Sequence, residues 1–132
     1  MLTDRVIGDG SLRSDAAGFS FDLRIPWYRS LPLSCVEGVE IAVDGESIDD
    51  DDLRVAFNDR TYAVSELPPL YEEWWQVTDA ARVSIARTGG LGPGPHKLDV
   101  TLSVRIPYII EAGRRLVMRE RCVKTLTADG DS

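Results

Sequence analysis

The stretch "KLDVTLSVRIP" constrains this chain more than any other. Leu98, Val100, Leu102, Val104 and Ile106 alternate without a break against Lys97, Asp99, Thr101, Ser103 and Arg105. Successive side chains of an extended chain point to opposite faces, so this run is a strand with one apolar face and one polar face. Shorter runs repeat the pattern. Phe19, Phe21, Leu23 and Ile25 share a face in "GFSFDLRIP", and so do Val39, Ile41 and Val43 in "VEIAV". Leu53, Val55 and Phe57 share one in "LRVAF", as do Val83 and Ile85 in "ARVSIART". One-sided strands of this kind belong to antiparallel sheets that bury one face.

Turn signals separate the runs. Asp44-Gly45 centres a hairpin cue, Asn58 and Asp59 interrupt "FNDRTY", and "TGGLGPGPH" is a Gly/Pro loop that neither helix nor strand absorbs. "RRLVMRERCVKTL" reads as a last long strand whose alternation slips near Glu120, as a bulge would cause. Only "SELPPLYEEWW" and "DDDDL" leave room for a helical turn, and Pro68 and Pro69 keep the first of these short. About seven to nine strands with a turn roughly every ten residues predict a single-domain, all-β antiparallel sandwich. It is expected to span residues 1–127, with 128–132 as a disordered tail. With 132 residues the chain buries roughly two thirds of its unfolded surface, enough for a core without staples.

Composition narrows the function. The net charge of −7 disfavours nucleic acid, which is held by Lys and Arg neutralising phosphates. No run of about 18 apolar residues crosses a membrane. No basic start leads into an apolar stretch, so no secretory leader is visible and a cytoplasmic location is expected. Cys35 and Cys122 stand far apart outside any CxxC pattern, and are read as small, reduced, buried thiols on strands. His96 is the one histidine and reads as a structural residue between loop and strand. The run Asp49–Asp52 lacks the Gly and Glu of a calcium loop and reads as a solvated acidic turn. Ser34 has no activating motif nearby, and "GGLGPG" does not open a helix as a phosphate cradle does. No catalytic residue and no metal ligand is assigned on this chain.

Aromatic residues remain. "RIPWY" at Arg24–Tyr28 and "RIPY" at Arg105–Tyr108 repeat one phrase at two strand ends. Pro26 and Pro107 cannot donate to a ladder, so each is expected to end its strand or sit at an edge. Each also stiffens the exit, so the aromatic beyond leaves at a fixed angle. Arg24 and Arg105 lie on the outward face, where pairing with the chain's own carboxylates is the default and a partner's acidic groups the alternative. In the adjacent Trp74–Trp75 pair, one ring can enter the core while the other faces elsewhere. The candidate contact surface is therefore Arg24, Pro26, Trp27, Tyr28, Arg29, Trp74, Trp75, Arg105, Pro107 and Tyr108.

The ordered phrases "GFSFDLRIPWYRSLPLSCVEGVEIAVDGE", "LRVAFNDRTYAVSEL", "WW", "GGLGPGPHKLDVTLSVRIPYI" and "CVKTLT" resemble the β subunit of bacterial C-glycoside deglycosidases, over roughly Arg5 to Thr127. The resemblance implies a small β-sandwich subunit paired with a TIM-barrel α subunit similar to sugar isomerase/epimerase proteins. It implies manganese or magnesium and the acid–base residues on that α subunit, and no cofactor on this chain. The implied substrate is a 3-oxo-C-glucoside. Removal of the proton beside the ketone leads to elimination of the aromatic aglycone, which leaves protonated, and to an unsaturated 3-keto sugar. Two other readings stay open: a carbohydrate-binding sandwich with Trp27, Trp74 and Trp75 as stacking platforms, and a structural assembly protein.

Overall fold

The computed structural model describes residues 6–25, 29–57, 59–92 and 94–127. Eleven strands follow one another: β1 (Arg13–Asp15), β2 (Gly18–Leu23), β3 (Leu31–Pro32), β4 (Val36–Val43), β5 (Glu46–Ser47), β6 (Leu53–Phe57), β7 (Arg60–Tyr62), β8 (Trp74–Trp75), β9 (Ala81–Ala86), β10 (Pro95–Glu111) and β11 (Arg114–Thr127). Three of them are two residues long, too short to show alternation in a sequence. Nine of the eleven form two antiparallel sheets, ordered β1-β2-β9-β6-β7 and β11-β10-β4-β5, while β3 and β8 make a separate pair. The possible helices are single 3-10 turns at Asp50–Asp52 and Val64–Glu66. In the first, the Asp49 carboxylate accepts from the Asp51 N–H.

Both sheets turn their apolar faces into one core. Phe19, Phe21, Val55, Val83 and Ile85 meet Val39, Ile41, Leu98, Val100 and Leu102 there. All five apolar positions from Leu98 to Ile106 are fully buried. Burying a side chain of this size contributes about 1.5–3 kcal/mol, so β10 supplies the largest share of any single strand. Gly18 is fixed by close approach: a Cβ there would collide with the Ile85 carbonyl of β9.

The outward face of the second sheet is laced with charge. The Arg121 guanidinium donates to both oxygens of Asp99 at 2.9 and 2.6 Å, and Arg119 reaches Glu40 at 3.0 Å. The Arg121 fork holds the Asp99 carboxyl below its usual range.

Two expectations need correction. First, β11 carries no bulge at Glu120, since its register with β10 is unbroken from Leu116 to Thr127. The apparent slip comes from polar residues on the inward-facing positions of an edge strand. Lys124 turns inward and donates to the Ile7 carbonyl and to Asp9, both at 2.8 Å. Second, Cys35 sits on the 3-10 turn Leu33–Cys35 rather than on a strand, although it and Cys122 are buried and unbridged as expected. Pro107 meets the second of its two expectations: it does not end its strand but sits where β10 has become an edge, beyond its last pair with β4 at Val104. β10 runs on to Glu111, and the irregularity lies between Ile106 and Ile110.

Candidate functional site

β2 stops at Leu23, and the chain then crosses from the first sheet to the second, where β4 begins at Val36. Everything attached to this crossing lies at one end of the sandwich. The Arg24 N–H donates to the Val6 carbonyl at 2.7 Å and its guanidinium to the Thr78 carbonyl at 3.2 Å. Ile25 is buried. Pro26, Trp27 and Tyr28 lie outside the described residues. From Ser30 onward the segment 70–79 holds the chain. The Ser30 hydroxyl donates to Gln76 Oε1 and accepts from the Val77 N–H. Leu31 pairs with Trp75 and Pro32 with Trp74. The N–H groups of Leu33 and Ser34 then donate to the carbonyls of Glu73 and Leu70. Leu31, Leu33 and Leu67 are buried beneath this cover, so it closes the core at that end.

The two tryptophans divide as an extended pair must. Trp75 is 2% exposed, meets the Phe57 ring edge-on at 5.1 Å, and donates its indole N–H to the Asp79 carbonyl at 3.0 Å. Trp74 is 44% exposed. Trp75 therefore belongs to the core and offers no stacking platform, because both faces of its ring are covered by protein.

The second phrase ends at the same place. Arg105 donates to Glu37 at 2.6 Å and to the Ser34 carbonyl at 3.1 Å, so it is held by this chain's own acceptors. Ile106 is buried. Pro107, Tyr108 and Ile109 then form a bulge: Ile106 faces Leu116 while Ile110 faces the next residue, Arg115. A bulge asks no ladder donor of its residues, which is why Pro107 fits inside a strand. The Arg115 Nε–H satisfies the Pro107 carbonyl at 2.9 Å. Tyr108 is half exposed, and the Arg29 guanidinium lies 5.6 Å from its ring centroid. The residue that closes the first loop thus stacks on the aromatic that follows the second phrase.

Comparison with known proteins bears on what this end serves. The profile of the C-glycoside deglycosidase beta subunit family matches residues 2–108. A 3'-dehydrocarminate deglycosidase beta subunit from a Microbacterium species is 41% identical over 133 residues, covering 97% of this chain and all of the relative. The chain belongs to the C-glycoside deglycosidase beta subunit family. A C-glycoside deglycosidase beta subunit of Microbacterium trichothecenolyticum is 36% identical over 97% of this chain and 98% of its own length. One from Eubacterium cellulosolvens is 29% identical over 75% of this chain and 69% of its own.

As a member of that family the chain is one subunit of an enzyme complex, and several of its ionisable groups are held by partners within the chain. At the far end of the sandwich His96 bridges the Asp44 carboxylate at 2.7 Å and the Gly92 carbonyl at 2.6 Å. The hydrogen bond to Asp44 raises the His96 pKa, and the same contact lowers that of Asp44. The histidine clamps the Gly/Pro loop onto the β4–β5 turn, where Asp44 and Gly45 both have positive φ. The Cys35 thiol is pushed up by burial. No helix among the described residues is long and apolar enough to cross a membrane. What sequence reasoning missed in this beta subunit is the stretch after Tyr108. Ile110 and Val117 are exposed, and Ala112-Gly113 turns the chain with φ of 51° and 79°. A small residue followed by Gly between two extended runs was the available signal.

Proposed function

We propose that this chain is the non-catalytic small subunit of a C-glycoside-cleaving lyase, working with a larger TIM-barrel subunit of the sugar isomerase/epimerase type. The larger subunit holds a manganese or magnesium ion and the acid–base groups. The substrate class is a 3-oxo-C-glucoside. The ketone acidifies the C–H between it and the anomeric carbon, and a base takes that proton. The electron pair forms a ring C=C as the C–C bond to the aglycone breaks, and the aglycone carbon is protonated. No external oxidant or reductant is consumed.

The observation that carries this reading is similarity over essentially the whole chain to proteins named as beta subunits, one of them for a 3'-dehydro substrate. Co-expression with a TIM-barrel α subunit of the same enzyme family, size exclusion, and an assay on a 3-oxo-C-glucoside with Mn²⁺ test it. The expected result is co-elution and aglycone release that neither chain gives alone. Separate elution, or full activity from the barrel alone, overturns it. The alternative of a stand-alone sugar-binding sandwich loses Trp75 as a platform, since that ring is buried.

A further inference from the structure

The β10–β11 ribbon outruns its own sheet. β4 last pairs with β10 at Val36↔Val104, while β11 stays paired out to Glu111↔Arg114. Beyond Val104 two strands project without a third. A lone two-stranded ribbon is marginal in water; here Ile106, Ile109 and Leu116 pack the inner side onto the core, and the outward side is left open.

The outward face changes character where the arm begins. Along the body of the sheet it carries the pairs Arg119–Glu40 and Arg121–Asp99. On the arm it carries Ile110, 60% exposed, and Val117, 46% exposed, and Tyr108 in the bulge beside them is 51% exposed; these are half of the six large apolar residues exposed among the described ones. Ile110 faces Arg115 and Val117 faces Arg105, so all four side chains lie on one face. The tip adds two cations, Arg114 and Arg115, to the single carboxylate of Glu111 in the sequence. Positive charge at the tip of a chain whose net charge is −7 makes the arm electrostatically unlike the rest of the protein. At the base, Arg29 stacks on Tyr108 and Arg115 caps the bulge, so the arm is braced before anything binds it.

Resting on the subunit reading above, we infer that this arm is the docking element for the larger subunit. Tyr108, Ile110 and Val117 lie on an apolar patch of that subunit, and Arg114 and Arg115 reach carboxylates at its rim. A second copy of this chain fits less well. A two-fold contact of arm on arm sets the same patch against itself and brings tips of like charge together.

The test uses the full chain co-expressed with its larger subunit. The variants are Ile110→Asp with Val117→Asp, and separately Arg114→Glu with Arg115→Glu. Val123→Asp is the control, on the same outward face of β11 but away from the arm. Co-elution and a titration of the two purified subunits are the readouts, with thermal melting of each small subunit alone. The apolar pair of substitutions is expected to weaken association at least about tenfold, and the charge reversal to slow association and invert its salt dependence. The control leaves both unchanged. If the apolar variant melts early, Arg114→Glu alone, at the solvent-facing turn, replaces it. Wild-type affinity in both arm variants overturns the inference. So does a dimer of the isolated chain that the apolar variant converts to monomer. Failure of the wild type itself to associate with the larger subunit is a separate result: it removes the subunit reading first, and the arm assignment with it.

Discussion

At the level of single residues, burial separates side chains that look alike in sequence. Trp74 and Trp75 are adjacent and identical, yet one faces solvent and the other fills the space beside Phe57. Alternation showed that they must part, but nothing local could say which ring goes inward. That depends on β8 pairing with β3, which is settled forty residues away. Trp75→Ala should cost about 3–5 kcal/mol in urea unfolding, against under about 1 kcal/mol for Trp74→Ala. Equal losses would place the core elsewhere. The lone histidine gives a pH signature. Because folding raises the His96 pKa, its contribution is complete below the ordinary value of about 6.5 and disappears as pH rises through the raised one. Asp44 is lowered, so its contribution is present above its ordinary value and fades as pH falls through the lowered one. The urea midpoint should therefore decline as pH rises past about 6.5, and His96→Gln should flatten that decline. An NMR titration placing His96 at or below its ordinary pKa would remove the basis of this expectation.

At the level of elements, the long strands were legible and their endings were not. Alternation located β2, β4, β6, β9 and β10 because each buries one face and wets the other. It misled at β11, where Lys124 occupies an inward position and binds the Ile7 carbonyl below the sheet edge. Such inward charges discourage a free edge from pairing with another chain, so the polar break was protective rather than a bulge. At Pro107 the missing donor was read as an end or an edge, and the edge is what the structure has, with a three-residue bulge that accommodates the proline. Of the candidate contact residues, Arg24, Arg29, Trp74, Arg105, Pro107 and Tyr108 do gather at one end, whereas Trp75 is enclosed there. The hairpin at Ala112-Gly113 carries a measurable strain, since an alanine at φ 51° costs about 1–2 kcal/mol against a right-handed conformation. Ala112→Asn, which suits that conformation, should stabilise the chain by about 0.5–1 kcal/mol. A loss in thermal or urea unfolding would mean that the turn is not formed in solution.

At the level of the whole molecule, the sandwich has two unlike ends. One is closed by the His96 clamp and the Gly/Pro loop; the other gathers both Arg-Ile-Pro phrases and extends an arm. Family membership says that the protein works as one subunit of an enzyme, and the division of ends gives that subunit a front and a back. The pairing of β4 with β10 also has a consequence in time. Val43 lies beside Leu98, and β4 has only the two residues of β5 on its other side. During synthesis β4 leaves the ribosome roughly 3–10 s before its main neighbour, at ordinary elongation rates. Throughout that interval a strand with Val36, Val39, Ile41 and Val43 on one face has nothing long to bind. The nascent chain is most vulnerable there, and whatever shields that stretch decides how much of this subunit survives to meet its partner.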